Sequence, residues 1–266
     1  MDRFEQGFSN TERSAGLTHE SASALVKTIK QLQKAAKEGN ITNLKKSQQK
    51  LAEQMSELQQ AVMNARDSWP FEESDEEQYL SDGFASELQR AGTERELQIY
   101  ERDGRLIAHP AIVRILSAER AVRVDRRKVS TIRPSYLVDL LIKNQQKPGR
   151  FPAGRFLEAL HGVYLELIKQ DSVNKKVKIE AGPVVQLTRI YKLFTSLPGS
   201  SLEYSKADFS RELYLLETSG LTTTKSGVSF SFHASSGTRS SKGQLTFVGP
   251  DGRDVQYYGI QFTSNN

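Results

Sequence analysis

Leu51, Met55, Leu58 and Val62 follow one another at spacings of four, three and four residues, in a stretch whose other positions are mostly Gln, Lys, Glu and Ser. So thin an apolar stripe constrains the fold more than any other feature of the sequence. A helix with this seam cannot cover a globular core; it is patterned like one strand of a coiled coil. Leu44 extends the stripe back toward a start near Thr42. Upstream, Leu25, Ile29, Leu32 and Ala36 share one side of a second helix, for which Thr18 or Ser21 offers a cap. Gly39-Asn40 separates the two, a break short enough to reverse the chain. The expectation is an antiparallel helical hairpin. With only about three heptads per helix it is marginal alone, so it should dock on the rest of the chain or on a partner protein, with Leu51, Met55, Leu58 and Val62 as the partner-binding residues. Residues 1–17, polar and carrying Gly7 and Gly16, read as a loose tail.

An acidic connector follows, with Asp67, Glu72, Glu73, Asp75, Glu76 and Glu77 around Trp69-Pro70-Phe71. Beyond it a single helix is expected from about 74 to 91, with Leu80, Phe84, Leu88 and Ala91 on one face. Short strand-like runs then flank Asp103-Gly104 and the Asp125–Lys128 segment, both hairpin signals, with Ile112–Leu116 between them. Pro134 opens a helix that Lys147-Pro148-Gly149 closes, and a strongly apolar helix runs over about 153–169. Val177–Ile179 is a strand candidate, a helix follows Pro183, and Ser205-x-x-Asp208 caps another. Strands are expected at Val228–Phe232, Leu245–Phe247 and Val255–Phe262. The sequence thus reads as an α+β chain. It has a tail and coiled-coil-like hairpin (1–66), an acidic connector and helix (67–95), a small basic antiparallel sheet with a helix (96–152), and C-terminal helices with a β hairpin (153–266).

From 153 to 247 the order of elements is similar to that of a winged helix-turn-helix, at the level of element order alone. That resemblance implies a recognition helix carrying Lys206 and Arg211, and a wing over His233–Gly243 with Arg239 and Lys242 at its tip. The alternative is a plain α+β core that uses the same helices for packing.

The formal net charge of +5 is unevenly distributed. Residues 114–155 hold 11 Lys/Arg against 3 Asp/Glu, whereas residues 1–113 hold 14 against 19. Arg114, Arg120, Arg123, Arg126, Arg127, Lys128 and Arg133 crowd into the expected sheet. Strand alternation would place Arg123 opposite Val122 and Val124, giving one apolar and one basic sheet face. Such a face binds phosphates by releasing counterions. It could equally dock the acidic 67–77 segment or simply be solvated.

Enzyme readings find little support. Cysteine is absent, which removes disulfides, thiolate catalysis and Cys-ligated zinc, and fits a reducing, cytoplasmic setting. There is no Walker A loop, no G-x-G-x-x-G and no G-x-S-x-G. His19, His109, His161 and His233 are scattered without metal-pair spacing. No catalytic residue, metal or cofactor is expected. No apolar run approaches the roughly 20 residues of a membrane span, and the first residues lack the basic and apolar regions of a secretion signal. The function expected is a non-enzymatic, nucleic-acid-binding or nucleic-acid-associated adaptor. The alternative is a protein-interaction subunit of a larger assembly, such as an accessory subunit of a DNA-organising ATPase or nuclease system.

Overall fold

Helix α1 runs from Phe4 to Glu38 in a computed structural model of the chain, which describes residues 4–146, 151–175, 182–233 and 243–264. The fold mixes helix and small antiparallel sheets around two compact units. One unit comprises the chain up to Ala91 with Leu116–Ala121 and Ser130–Val138; the other comprises Gly92–Ile115, Val122–Val129 and the chain from Asp139 onward.

In the first unit, α1 turns back at Gly39 into α2 (Ile41–Arg66). Gly39 sits at φ +69°, a left-handed conformation that costs glycine little, and this lets the Asn40 N–H reach the Ala35 carbonyl at 2.9 Å. Asn40 then caps α2, its side-chain oxygen accepting from Asn43 N at 3.0 Å. The expected hairpin is therefore present, but its seam differs from the one read in the sequence. Facing inward on α1 are Thr11, Ser14, Thr18, Ser21, Leu25, Thr28, Leu32 and Ala35; on α2 they are Leu44, Ser47, Leu51, Gln54, Leu58, Ala61 and Ala65. Both sets keep the alternating three-and-four spacing of a heptad. Small hydroxyl and Ala side chains let the helices approach closely, and Thr18 Oγ1 donates across the seam to the Ala61 carbonyl at 2.9 Å.

Residues 1–17 are not a loose tail as far as they are described: the helix begins at Phe4. Tertiary partners make the difference. Phe4 is 1% exposed and packs among Phe8, Trp69, Phe71, Tyr79 and Phe84. Gly7 leaves room for that cluster, since a Cβ there would come within 3.0 Å of the Phe71 ring and 3.2 Å of Trp69. The buried Glu87 carboxylate accepts the Phe4 and Glu5 N–H groups, each at 3.2 Å, and the Tyr79 hydroxyl. Backbone donors that a helix start leaves unpaired are thus satisfied by an anion suited to the helix dipole. The helix expected over 74–91 is two helices, α3 (Glu73–Asp82) and α4 (Phe84–Thr93), divided at Gly83.

Glu5 repeats the capping device at α5 (Pro134–Gln146), accepting from Ser135 N at 2.8 Å, Ser135 Oγ at 2.9 Å and Arg133 Nε at 2.8 Å. Burial alone would raise the Glu5 carboxyl, but these donors outweigh it and hold it below its ordinary 4.5. A lowered carboxyl stabilises the fold fully above its unfolded pKa, and the contribution is lost as pH falls through the folded value. Glu5→Gln is therefore expected to flatten the acid limb of stability against pH below about 4.5. Denaturant melts across acidic pH test this; an acid limb identical to wild type would remove Glu5 from the linkage.

The second unit holds most of a five-stranded antiparallel sheet in sequence order: β1 (Tyr100–Arg102), β2 (Arg105–Ala108), β3 (Ala111–Leu116), β4 (Ala121–Val124) and β5 (Arg127–Val129). Both expected hairpins form, with Arg102 opposite Arg105 and Val124 opposite Arg127. Asp103 (φ +50°) and Asp125 (φ +54°) take the left-handed turn positions, which Asp tolerates better than most residues. The core of the unit gathers α6 (Ala153–Lys175), α7 (Leu187–Phe194) and α9 (Lys206–Thr218), with the short α8 (Ser200–Glu203) between the last two. The Ser205–Asp208 capping box is present.

Two small sheets complete this core. In one, β10 (Gly259–Ser264) lies between β6 (Val185–Gln186) and β7 (Val228–His233); in the other, β8 (Leu245–Val248) pairs with β9 (Asp254–Tyr257). The strand expected over Val255–Phe262 is thus split at Tyr258 between two sheets. Val177–Ile179 and Lys147-Pro148-Gly149 lie outside the described residues.

Candidate nucleic-acid interface

The turn between β4 and β5 is built on α9. Asp125 and Ile112 are tied twice: Asp125 N donates to the Ile112 carbonyl at 2.7 Å, and Ile112 N donates to Asp125 Oδ1 at 3.0 Å. Asp125 Oδ2 accepts from Arg211 Nη2 at 3.1 Å, while Arg211 Nε donates to the Pro110 carbonyl at 2.6 Å. One helical step on, Glu212 pairs with Arg126 and accepts the Tyr204 hydroxyl at 2.5 Å. The Arg126 guanidinium lies 4.7 Å from the Tyr204 ring centroid, a cation–π stack. Burial, reinforced by the Glu212 charge, pushes the Tyr204 phenol far above its ordinary value, so it stays a donor. Arg126 and Arg211, both expected to meet nucleic acid, therefore spend their charge inside the unit.

Arg120 and Arg133 are also engaged. Arg120 Nε donates to Glu76 at 2.5 Å and its Nη2 lies 3.7 Å from Glu73, so one basic residue does meet the acidic segment. Arg133 bridges Glu5 at 2.8 Å and Glu12 at 2.5 Å. Arg123 is half-buried, with its Nε out of solvent and unbonded. Arg114, Arg127 and Lys128 are exposed, and among the described residues no ion pair involves Arg114 or Arg127. Lys206 is exposed at the first position of α9. Arg239 and Lys242 lie outside the described residues.

The expected division into an apolar and a basic sheet face does not occur. Leu106, Ile107 and Ala108 are buried in succession, as are Ala111, Ile112 and Val113, and Ala121 and Val122. Consecutive buried residues mean that both faces are covered. Ile107 and Ile112 pack on Phe247 and Val248. The signal was in the sequence: unbroken apolar triplets mark a strand covered on both sides, where alternation marks a half-exposed one. Of the exposed cations on the strands, Arg114 lies in the far part of β3, Arg127 and Lys128 on the edge strand β5, and Arg102 on β1, 3.5 Å from Asp254.

The β5 edge borders a cleft of about 640 Å³, lined also by Asn144 and Gln145 of α5, by Asp208 and Leu215 of α9, and by Phe151 just before α6. Its acids are all occupied, Asp125 by Arg211, Glu212 by Arg126 and Tyr204, and Asp208 by the Ser205 cap. Arg127, exposed on β5, adds to this lining a positive charge that no ion pair among the described residues occupies.

On α9, Phe209, Ser210, Leu213 and Leu216 are buried, and Tyr214 packs edge-on to His109 at 5.0 Å and against Phe247 at 5.3 Å. Burial, and the Arg211 charge nearby, lower the His109 pKa below its ordinary value. The strands flanking the expected wing belong to separate sheets, β7 with β10 and β8 with β9.

Of the residues expected to bind a partner, Leu51 and Leu58 are half-buried in the α1–α2 seam, while Met55 and Val62 are 43% and 49% exposed on its flank. Among the described residues no group of three or more His, Asp or Glu is placed to hold a metal ion, and no helix is long and apolar enough to cross a membrane. No protein-family model matches the chain, and no curated protein or solved structure matches it.

Proposed function

We propose that the protein is a non-enzymatic adaptor that binds nucleic acid through phosphate contacts at the β5 edge. The observation behind this reading is the cleft beside β5, whose acids all have partners within the unit while Arg127 is exposed and in no ion pair among the described residues. The Asn144 amide and the ring of Phe151 line the same cleft, and suit a phosphate backbone with a base beside it; the Gln145 amide donates to the His109 carbonyl at 2.6 Å. A winged-helix version of this reading would need α9 in a groove. Arg211 and Tyr214 are committed to Asp125 and His109, so the contact is placed on β5 and Arg114 instead.

Arg114→Ala with Arg127→Ala should weaken binding to duplex and single-stranded oligonucleotides. It should also lower the log–log salt slope by about 0.9 per lost contact on duplex and about 0.7 on single strands. An unchanged slope in this variant, or no binding by the wild type at low salt, rejects the reading.

The second reading, a subunit that pairs with another protein's helix, is favoured by one flank of the hairpin. Ile29, Met55 and Val62 each directly follow an inward-facing residue. In an antiparallel helix pair this position lies on the same side of both helices. The three are 46%, 43% and 49% exposed, and form an apolar ridge. Met55→Glu with Val62→Glu should abolish such an association and leave the melting temperature nearly unchanged; co-purification with a partner that survives both changes rejects it.

A further inference from the structure

We infer that the turn-side half of the α1–α2 hairpin is a contact surface for the sugar–phosphate backbone of double-stranded nucleic acid. This rests on the nucleic-acid reading above but uses a different surface, on the first unit. Residues 27–50 hold Lys27, Lys30, Lys34, Lys37, Lys45, Lys46 and Lys50 against a single acid, Glu38. All seven lysines are exposed. Glu38 lies 3.8 Å from Lys34, and both side chains are open to solvent, an arrangement that ties up little charge.

Four of these lysines form a row. The inward-facing residues of α1 in this region are Leu25, Thr28, Leu32 and Ala35, so Lys27, Lys30, Lys34 and Lys37, at spacings of three, four and three, run along the outward side. At 1.5 Å per residue the row is about 15 Å long. One strand of a duplex offers a phosphate per roughly 3.4 Å of axis but winds once round it per roughly 34 Å, so a straight row of that length faces some of the phosphates it spans. A row of cations on a preformed helix can therefore follow a stretch of the backbone without an ordering cost in the main chain. Lysine is suited to this work: a hydrated point charge on a flexible stem neutralises phosphate without reading sequence.

An anionic membrane surface would attract the same lysines, yet the geometry disfavours it. A helix that lies in a membrane surface buries an apolar side opposite its charged one. Opposite the lysine row, α1 presents its seam, and α2 already covers it, with Thr28 and Ala35 buried there.

The test uses the full chain with Lys27, Lys30, Lys34 and Lys37 all changed to Gln, which keeps helix propensity. Circular dichroism checks folding. The variant is titrated with a duplex of arbitrary sequence over a salt series, beside wild type and the Arg114→Ala, Arg127→Ala variant, and with vesicles containing phosphatidylserine. The salt slope is expected to fall by about 0.9 for each lost contact, up to about 3.6, with helicity unchanged. Loss in the lysine variant supports the inference whatever the arginine variant does. Loss in the arginine variant alone overturns it while leaving the β5 reading standing. No duplex binding by wild type at low salt overturns both. Vesicle binding that depends on the lysines, with duplex binding that does not, overturns the choice of partner.

Discussion

Phe4→Ala is expected to destabilise the first unit by about 3–5 kcal/mol, the range for removing a fully buried aromatic side chain. Phe4 stacks on Tyr79 at 4.4 Å between ring centroids and meets Phe71 at 4.8 Å and Trp69 at 5.7 Å. Its loss leaves a cavity where α1 begins and where the segment after α2 returns. The backbone bonds from Phe4 and Glu5 to Glu87 depend on the same anchoring. The first turns of α1 should fray as a consequence, because Gly7, Ser9, Asn10 and Thr11 have poor helix propensity of their own. Urea unfolding gives the energy and amide exchange over residues 4–17 gives the fraying. A loss under about 1 kcal/mol with intact protection would mean that this cluster does not hold the helix start.

Arg211→Met is the second change with a large expected effect, and it separates a structural from a nucleic-acid role. The side chain is mostly buried, bonded to Asp125 and to the Pro110 carbonyl. Hydrogen bonds to charged groups contribute about 1.5–3 kcal/mol, so a loss of about 2–3 kcal/mol is expected, with Asp125 left short of a partner. Asp125→Asn added to Arg211→Met should cost less than the sum of the two single changes, because both remove the same pair. The salt slope of nucleic-acid binding should not move. A fall of about 0.9 in that slope without loss of stability would return Arg211 to the binding surface.

The helical hairpin was legible because Gly39-Asn40 is a strong local stop and the stripe through Leu51 and Leu58 is periodic. The seam lies one position away from the apolar stripe at Met55 and Val62. Hydrophobicity points Met55 and Val62 inward, yet Gln54 and Ala61 take those places. In so polar a helix, hydrophobicity alone cannot separate two adjacent stripes; the three-and-four spacing continued from Leu44 and Ser47 would have. The basic half of the hairpin is masked for a different reason. Charge summed over residues 1–113 mixes the seven lysines of 27–50 with the acids of the connector, whereas a shorter window exposes them.

Local chemistry in the sequence determined the turns and caps: Asp103-Gly104, the Asp125 turn, Pro134 at the start of α5 and Ser205 with Asp208 all act within a few residues of themselves. It also determined the α+β class, through periodicity and strand-like runs. Only the tertiary structure decided what the charges do. Arg120 reaches Glu76 across 44 positions, Arg126 reaches Glu212 across 86 and Arg133 reaches Glu5 across 128. An arginine in the sequence carries the same charge whether solvent or a distant carboxylate faces it. Coulombic pairing depends on separation in space, and the sequence fixes that separation only through the fold as a whole. The same reason places α1 from Phe4 onward: its first turns are held by Trp69, Phe71 and Glu87, residues to which no local pattern in 1–17 points.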